Sequence, residues 1–562
     1  LSIKNIFTCS ILATVLGLSF PAYALNANYK SDISINSSQR TVSGLEEVTI
    51  YNTSQENLTE LYFLLGLNNS YDTRMRVTEV TDDSGTVLPS SYYYYKYLGK
   101  EIQDKTVYKV ILPEPLKAGA NITLKLKFDV SNLSKINGIM FLDDSINDIY
   151  TSSWYPRLIN YENGTLEKRE FNSSTYELNV SLPADEMIVA SGVELDTENI
   201  KTKAQKKIYY KINKSRAFSF ALSKNLVSET SETKEGTVIK LYSKNNKASK
   251  WNKSVLEITE DILKFYYKKF GFYPYKRLSI VPGSTYLKGG YSNANMIVLH
   301  DSLDSYKTPL ELDANLKWTL SRLIAEQYFG FYVGESGKYP KWITKGASGY
   351  LAYTYLREKN TSLQVFNDYL KPYSDAAKAN FNTQILQETQ DLVNSNFDWE
   401  TIIQKSKSTQ IFKMLETSLG RKYLQDTLKD VLTKYQNDTV ETGNFKVILE
   451  TNTSKDLEKF FDQWIRENNR LDYAISKIKQ EKKDDNYQIK LYLKRLGRAV
   501  MPVSIAITLK SGAKVFQTWD GQMNESELTF EYKERVKSVT IDPSNTLPDI
   551  DTENNFMNAP EI

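Results

Sequence analysis

Few residues in this sequence could do chemistry. The chain holds one histidine, His300, and one cysteine, Cys9. A Ser-His-Asp set would have to run through His300, and no G-x-S-x-G turn is present to offer a nucleophilic serine. Cys9 lies in an N-terminal apolar stretch, so the remainder of the chain has no cysteine chemistry. Zinc takes histidine, cysteine or carboxylate ligands, and a lone histidine makes a poor start on such a site. His300 reads as a surface or hydrogen-bonded residue, and its neighbours Asp301 and Asp304 as loop carboxylates or helix caps. An all-carboxylate calcium site stays open, although no segment follows the EF-hand pattern. Carboxylate pairs of the glycosidase kind discriminate nothing in a chain with 68 acidic residues. Arg322 and Glu326, four apart, read by themselves as a solvated helical pair worth roughly 0.3 kcal/mol.

The elements that must position these residues follow from hydrophobic periodicity. Over 25–225 short alternating stretches such as "TVSGLEEVTIYN" (41–52), "NITLKLKFDV" (121–130) and "STYELNVSLP" (174–183) predict half-buried antiparallel strands. The tyrosine run "SYYYYKY" (91–97) suits a sheet surface. Over 226–470 the period lengthens. Val255, Ile258, Ile262, Leu263 and Tyr266 fall on one helical face that ends at Gly271 and Pro274. Leu316, Leu320, Leu323 and Ile324 form a second apolar stripe, with Arg322 and Glu326 off it. Helical pattern continues through 410–435. From 471 to 562 alternation returns in "YQIKLYLKR", "PVSIAITLK" and "VKSVTIDP". The expected architecture is multidomain α+β, strand-rich at both ends and helical between, and 562 residues predict several domains, each with its own core.

Composition narrows the partners. A net charge of +3 with no basic block argues against nucleic acid. Residues 1–24 read as a signal peptide: Lys4 supplies the basic start, Ile6 to Phe20 an apolar core, and "AYA" at 22–24 the small residues a signal peptidase reads. Later segments lack the length and apolarity of a membrane span. The expectation is export, with the protein secreted or held at the cell surface.

Six further stretches carry a family resemblance: "SSWYPRL" (152–158), "AFSFALSKNL" (217–226), "FGFYPYKRLSIV" (270–281), "GGYSNANMIVL" (289–299), "FFDQWI" (460–465) and "VTIDPSNTLPDI" (539–550). In this order the chain resembles the aminopeptidase N-type (gluzincin) zinc metallopeptidases over nearly all of its length after residue 24. The resemblance implies an N-terminal β-sandwich-like domain, a central thermolysin-like domain and a small C-terminal β-sandwich. Members carry H-E-x-x-H and, after eighteen intervening residues, a glutamate; the spacing sets two histidines on one helix face and brings back a carboxylate from the next helix.

Aligned on Phe329 and Gly330, the first zinc-ligand position is Arg322, the general base Leu323, the second ligand Glu326, and the third Lys345 in "WITKGASGYLAY". The family's amine-binding glutamate, in G-x-M-E-N, corresponds to Ser292 in "GGYSN". The catalytic tyrosine, which donates to the developing oxyanion, corresponds to Lys405. The resemblance therefore implies that the catalytic groups and the zinc are both absent. It also implies that Arg322, Glu326 and Lys345 face one cavity as a polar tie between two helices, and that this cavity is cationic. A ligand entering it is then expected to be neutral or anionic rather than a free amine. The functional expectation is a non-catalytic relative that binds a peptide, glycan or protein partner. The alternatives are a hydrolase using other machinery and a structural surface component.

Overall fold

The computed structural model describes residues 25–69, 74–131, 140–142, 154–162, 165–166, 172–195, 204–224, 226–244, 249–283, 289–300, 308–393, 395 and 397–561. The expected signal segment with Cys9, and Asp301 and Asp304, lie outside them. The molecule is strand-rich at its N-terminal end, helical in the middle and strand-rich again at its C-terminal end.

Alternation builds the N-terminal sheet. Strand Leu25–Asn36 buries every second residue, pairs antiparallel with Thr41–Asn52, and pairs parallel with Ser174–Pro183 on its other side. Seven strands form this sheet, with Val193–Leu195 and Arg74–Asp82 at its edges. A second sheet carries the tyrosine run on strand Ser90–Tyr97. There Tyr92 packs edge-on to Tyr108 and Tyr93 edge-on to Tyr62, whereas Tyr94 and Tyr95 stay exposed.

The central region opens with a five-stranded mixed sheet in the order Leu226–Glu232, Val238–Lys244, Arg277–Pro282, Met296–Leu299, Gly290–Asn293. Helix α1 (Ser249–Phe270) joins the parallel pair Val238–Lys244 and Arg277–Pro282, as a crossover must. It buries Val255, Ile262, Leu263 and Tyr266 and stops at Gly271, whose φ of 86° suits glycine. Helix α2 (Pro309–Tyr328) starts with Thr308, whose hydroxyl accepts from the Glu311 amide at 3.1 Å, and with Pro309 at its first position. Leu316, Leu320, Leu323 and Ile324 are all buried along it. Helix α3 (Trp342–Glu358) lies against α2 and against the helix Ser408–Leu419. Its close approach to the latter requires Gly346, where a Cβ would stand 2.7 Å from the Phe412 ring. The pattern over 410–435 resolves into two helices, Ser408–Leu419 and Arg421–Lys434, because Gly420 at φ 98° interrupts it.

The C-terminal strands form two sheets. Tyr473–Lys483, Asn486–Arg495 and Glu525–Tyr532 make one; Lys514–Trp519, Val503–Leu509, Val536–Ile541 and Phe556–Asn558 make the other. Separate cores were expected for the central and C-terminal regions, but one apolar cluster runs from Ile239 to Leu547. Phe461, Trp464 and Ile465 at the end of the helical region belong to the same cluster as Leu471, Tyr473 and Ile475, so burial crosses the boundary without a break. The N-terminal region keeps its own cluster. No helix among the described residues is long and apolar enough to cross a membrane.

Candidate functional site

Helices α2 and α3 meet over a buried carboxylate. Glu326 is 5% exposed and sits in the last turn of α2. One of its oxygens accepts from the Arg322 guanidinium at 2.7 Å, and the other faces the Lys345 ammonium of α3 at 3.1 Å. Burial works against ionisation of Glu326. The charges of Lys345 and Arg322, with Lys405 adding to them, outweigh it and hold the carboxyl below its ordinary value. Arg322, Glu326 and Lys345 thus form one trio rather than a solvated pair, with both carboxylate oxygens engaged.

Lys405 stands close enough to feel all three. It lies on the wide-turn helical stretch Glu400–Lys407. Burial pushes its ammonium below the usual lysine range, Arg322 and Lys345 push it further, and Glu326 pulls the other way. Leu323 is wholly buried and packs under strand Gly290–Asn293. Ser292 on that strand donates to the Leu323 carbonyl at 2.9 Å and accepts from Gln327, whose amide also donates to the Asn293 carbonyl at 2.9 Å. Gln327 further accepts from the Asn295 amide, so it locks the strand onto α2. His300 was read as a surface or hydrogen-bonded residue; it is 5% exposed, with its ring edge-on to Tyr291. Burial lowers its pKa to about 4, which keeps it neutral at physiological pH.

Beside the trio lies a cavity of about 170 Å³, lined on the central side by Ser292, Glu326, Glu335, Lys341 and Lys345. Arg157 and Arg216 line it from the N-terminal region. Sequence reasoning did not assign these two arginines or Glu335 to a site. Arg157 falls inside the quoted stretch "SSWYPRL" and Arg216 immediately precedes "AFSFALSKNL", so the segments were visible though their side chains' destination was not. Arg157 donates to the Arg216 carbonyl at 2.8 Å, and Arg216 donates to the Asp438 carbonyl at 2.6 Å. The Arg216 guanidinium lies flat against Gly334, where a Cβ would approach its Cζ to 2.2 Å. Glu335 caps α3 from outside the helix. It accepts from the Ile343 and Thr344 amides at 3.1 and 2.8 Å and from the Thr344 hydroxyl at 3.0 Å. Burial nevertheless raises its pKa to about 8, since these donors and the nearby Lys341 only partly offset it.

A divalent metal does not fit the groups at positions 322, 326 and 345. Two are cationic and would repel it, and the carboxylate between them already spends both oxygens on those cations. Among the described residues, no group of three or more His, Cys, Asp or Glu side chains is arranged to hold a metal ion.

Residues 254–464 match the Peptidase family M1 domain. Curated relatives include Aminopeptidase M1-C and Aminopeptidase M1-D of Oryza sativa subsp. japonica, each 20% identical to this chain over 244 and 245 residues respectively. These alignments cover 42% of this chain but only 27% of either relative. The trio, the cavity's central wall and the helices that place them fall inside the segment that is similar to the Peptidase family M1 domain.

Proposed function

We propose that this protein is an exported, non-catalytic member of that family, a binding protein in which the peptidase cleft takes a peptide, glycan or protein partner without cleaving it. One observation supports the reading: Glu326 is clamped between Arg322 and Lys345, the three positions that the resemblance anchored on Phe329 and Gly330 assigns to zinc ligands. The trio substitutes an internal ion-pair network for a metal, tying α2 to α3 through charge rather than coordination. Leu323 at the general-base position cannot move a proton, and Lys405 at the tyrosine position sits among other cations. On this reading the central region keeps the thermolysin-like arrangement and the flanking strands the sandwich-like arrangement that the resemblance implies, while the reaction is gone.

The test is incubation of the purified protein with a mixed peptide library, with and without added zinc, read by mass spectrometry. The expected result is an unchanged library under both conditions. Zinc-dependent trimming of N-terminal residues would overturn the proposal and the assignment of Arg322, Glu326 and Lys345 to the ligand positions.

A further inference from the structure

The tyrosine-rich hairpin projects beyond its sheet. Strand Ser90–Tyr97 pairs with Lys100–Leu116, and Leu58–Leu64 pairs with the far edge of the latter only from Val107 onward. Leu65 and Asn68 hold the Thr106 and Lys105 carbonyls. Past that point, among the described residues, the five pairs from Tyr93 with Asp104 to Tyr97 with Lys100 have no third strand. At about 3.4 Å per residue they form an arm roughly 17 Å long, and a two-stranded ladder has little stability of its own. The arm closes in a two-residue turn, Leu98 and Gly99, at φ 50° and 76°. Asn-Gly is the pair that suits positive φ at both places. A leucine there sets its Cβ against the following carbonyl oxygen. No packing compensates, since Leu98 is 86% exposed. Backbone strain and an exposed apolar side chain therefore coincide at the outermost residue of the arm, and strain of this kind gathers where a side chain has a use.

Behind the tip come cations and rings. Between Tyr94 and Ile102 the exposed charges are Lys96, Lys100 and Glu101, two cations to one anion. Lys105 at the base is exposed as well, whereas Asp104 turns its carboxylate to the Thr106 amide and hydroxyl at 2.9 and 2.6 Å. Tyr94 and Tyr95 are exposed on opposite faces of the arm. A stable protein contact takes about 20–30 residues a side, and so narrow an arm offers far fewer. A bilayer requires only depth: an apolar group at the tip, amphipathic rings at headgroup level, and lysines whose stems reach anionic headgroups.

We infer that the tip of this hairpin docks on an anionic membrane surface, with Leu98 entering the interface and Lys96 and Lys100 meeting the headgroups. One leucine and a few charges give a weak, reversible and salt-sensitive attachment. The inference goes beyond the reading of the cleft and does not depend on it.

The experiment uses the full chain and two kinds of vesicle, phosphatidylcholine alone and an equal mixture with phosphatidylglycerol. Because Ile6 to Phe20 is itself apolar, the reading is taken at the arm. Q103C in a C9S background leaves the chain one thiol, which carries a nitrobenzoxadiazole label. The label's emission should move to the blue with the mixed vesicles and return in high salt. Adding L98N should raise the lipid needed for half of that shift about tenfold. It should leave the urea midpoint unchanged or higher, because asparagine accepts a positive φ. Adding K96Q and K100Q together should abolish the preference for the mixed vesicles. The inference is overturned by a label that neither vesicle moves, by equal shifts with both, or by L98N shifting as readily as its parent. Self-association of the parent that L98N abolishes would also overturn it, and would assign the tip to a second copy of the chain.

Discussion

Glu326 and Glu335 are nine positions apart, line the same cavity, and are both buried, yet their surroundings drive them in opposite directions. Glu326 faces a guanidinium and an ammonium, and those charges outweigh its desolvation. Glu335 accepts from three hydrogen-bond donors without formal charge, the nearby Lys341 adds only a lesser pull, and desolvation prevails. A helix N-terminus carries only a partial positive charge, whereas two full cations within about 3 Å supply much more. Burial therefore does not fix the state of a carboxylate. The formal charge of what it is buried against does.

Removing the charge from Glu326 is the strongest way to break this contrast. E326Q leaves Arg322 and Lys345 facing each other across a neutral amide, with the guanidinium mostly shielded from water. Stranding part of a buried ion network costs about 2–4 kcal/mol once the partial exposure of Lys345 is discounted. Urea unfolding should show that loss at neutral pH. A midpoint equal to the parent's would mean that the trio does not tie α2 to α3.

E335Q tests the other half and is read through pH. The folded pKa near 8 lies above the ordinary value of 4.5. Below the ordinary value both states hold the proton, so the contribution of Glu335 is complete there. As pH rises toward about 8 the unfolded chain gives up the proton while the native state retains it. Stability then falls, by up to about 1.4 kcal/mol per pH unit, and levels off above the folded value. The difference between parent and E335Q isolates this slope from that of Lys407, which burial lowers to about 7 and which acts in the opposite sense as pH rises. The variant is expected to lose less stability than the parent between those limits; parallel stability curves would show that Glu335 is ionised throughout.

Half of this comparison was legible in the sequence. Positions 322 and 326 fall on a helix that an apolar stripe marks in the sequence, and Lys345 lies in the first turn of the next one. Their side chains could thus be placed on facing helices, although the alignment rather than the periodicity joined them. Glu335 sits in a turn between those helices, where no periodic pattern signals burial, and its partners are backbone amides with no sequence signature. Arg157 opens a short strand and Arg216 immediately follows another, both far back in the chain, and strand alternation cannot predict that the two meet at the cavity. For His300 the sequence leaves surface and hydrogen-bonded positions both open, and burial removes only the first. This residue follows an apolar strand, and whether such a residue is covered depends on what folds over the strand's end. Local order was readable from local pattern, while long-range burial was not.

The smallest effect sharpens the account of Glu326. Lys405 brings a third cation toward a carboxylate that has already committed both oxygens, and burial acts on it before any neighbour does. Methionine keeps the aliphatic stem and discards the charge. If the trio is saturated, K405M relieves desolvation and repulsion together and stabilises the fold by about 1 kcal/mol or less. A rise of that order in the urea midpoint would mark Lys405 as surplus to the tie. A fall would mean that its attraction to Glu326 exceeds its repulsion from Arg322 and Lys345. The carboxylate would then be the centre of four charges rather than three, and E326Q should in that case cost more in the parent than in K405M.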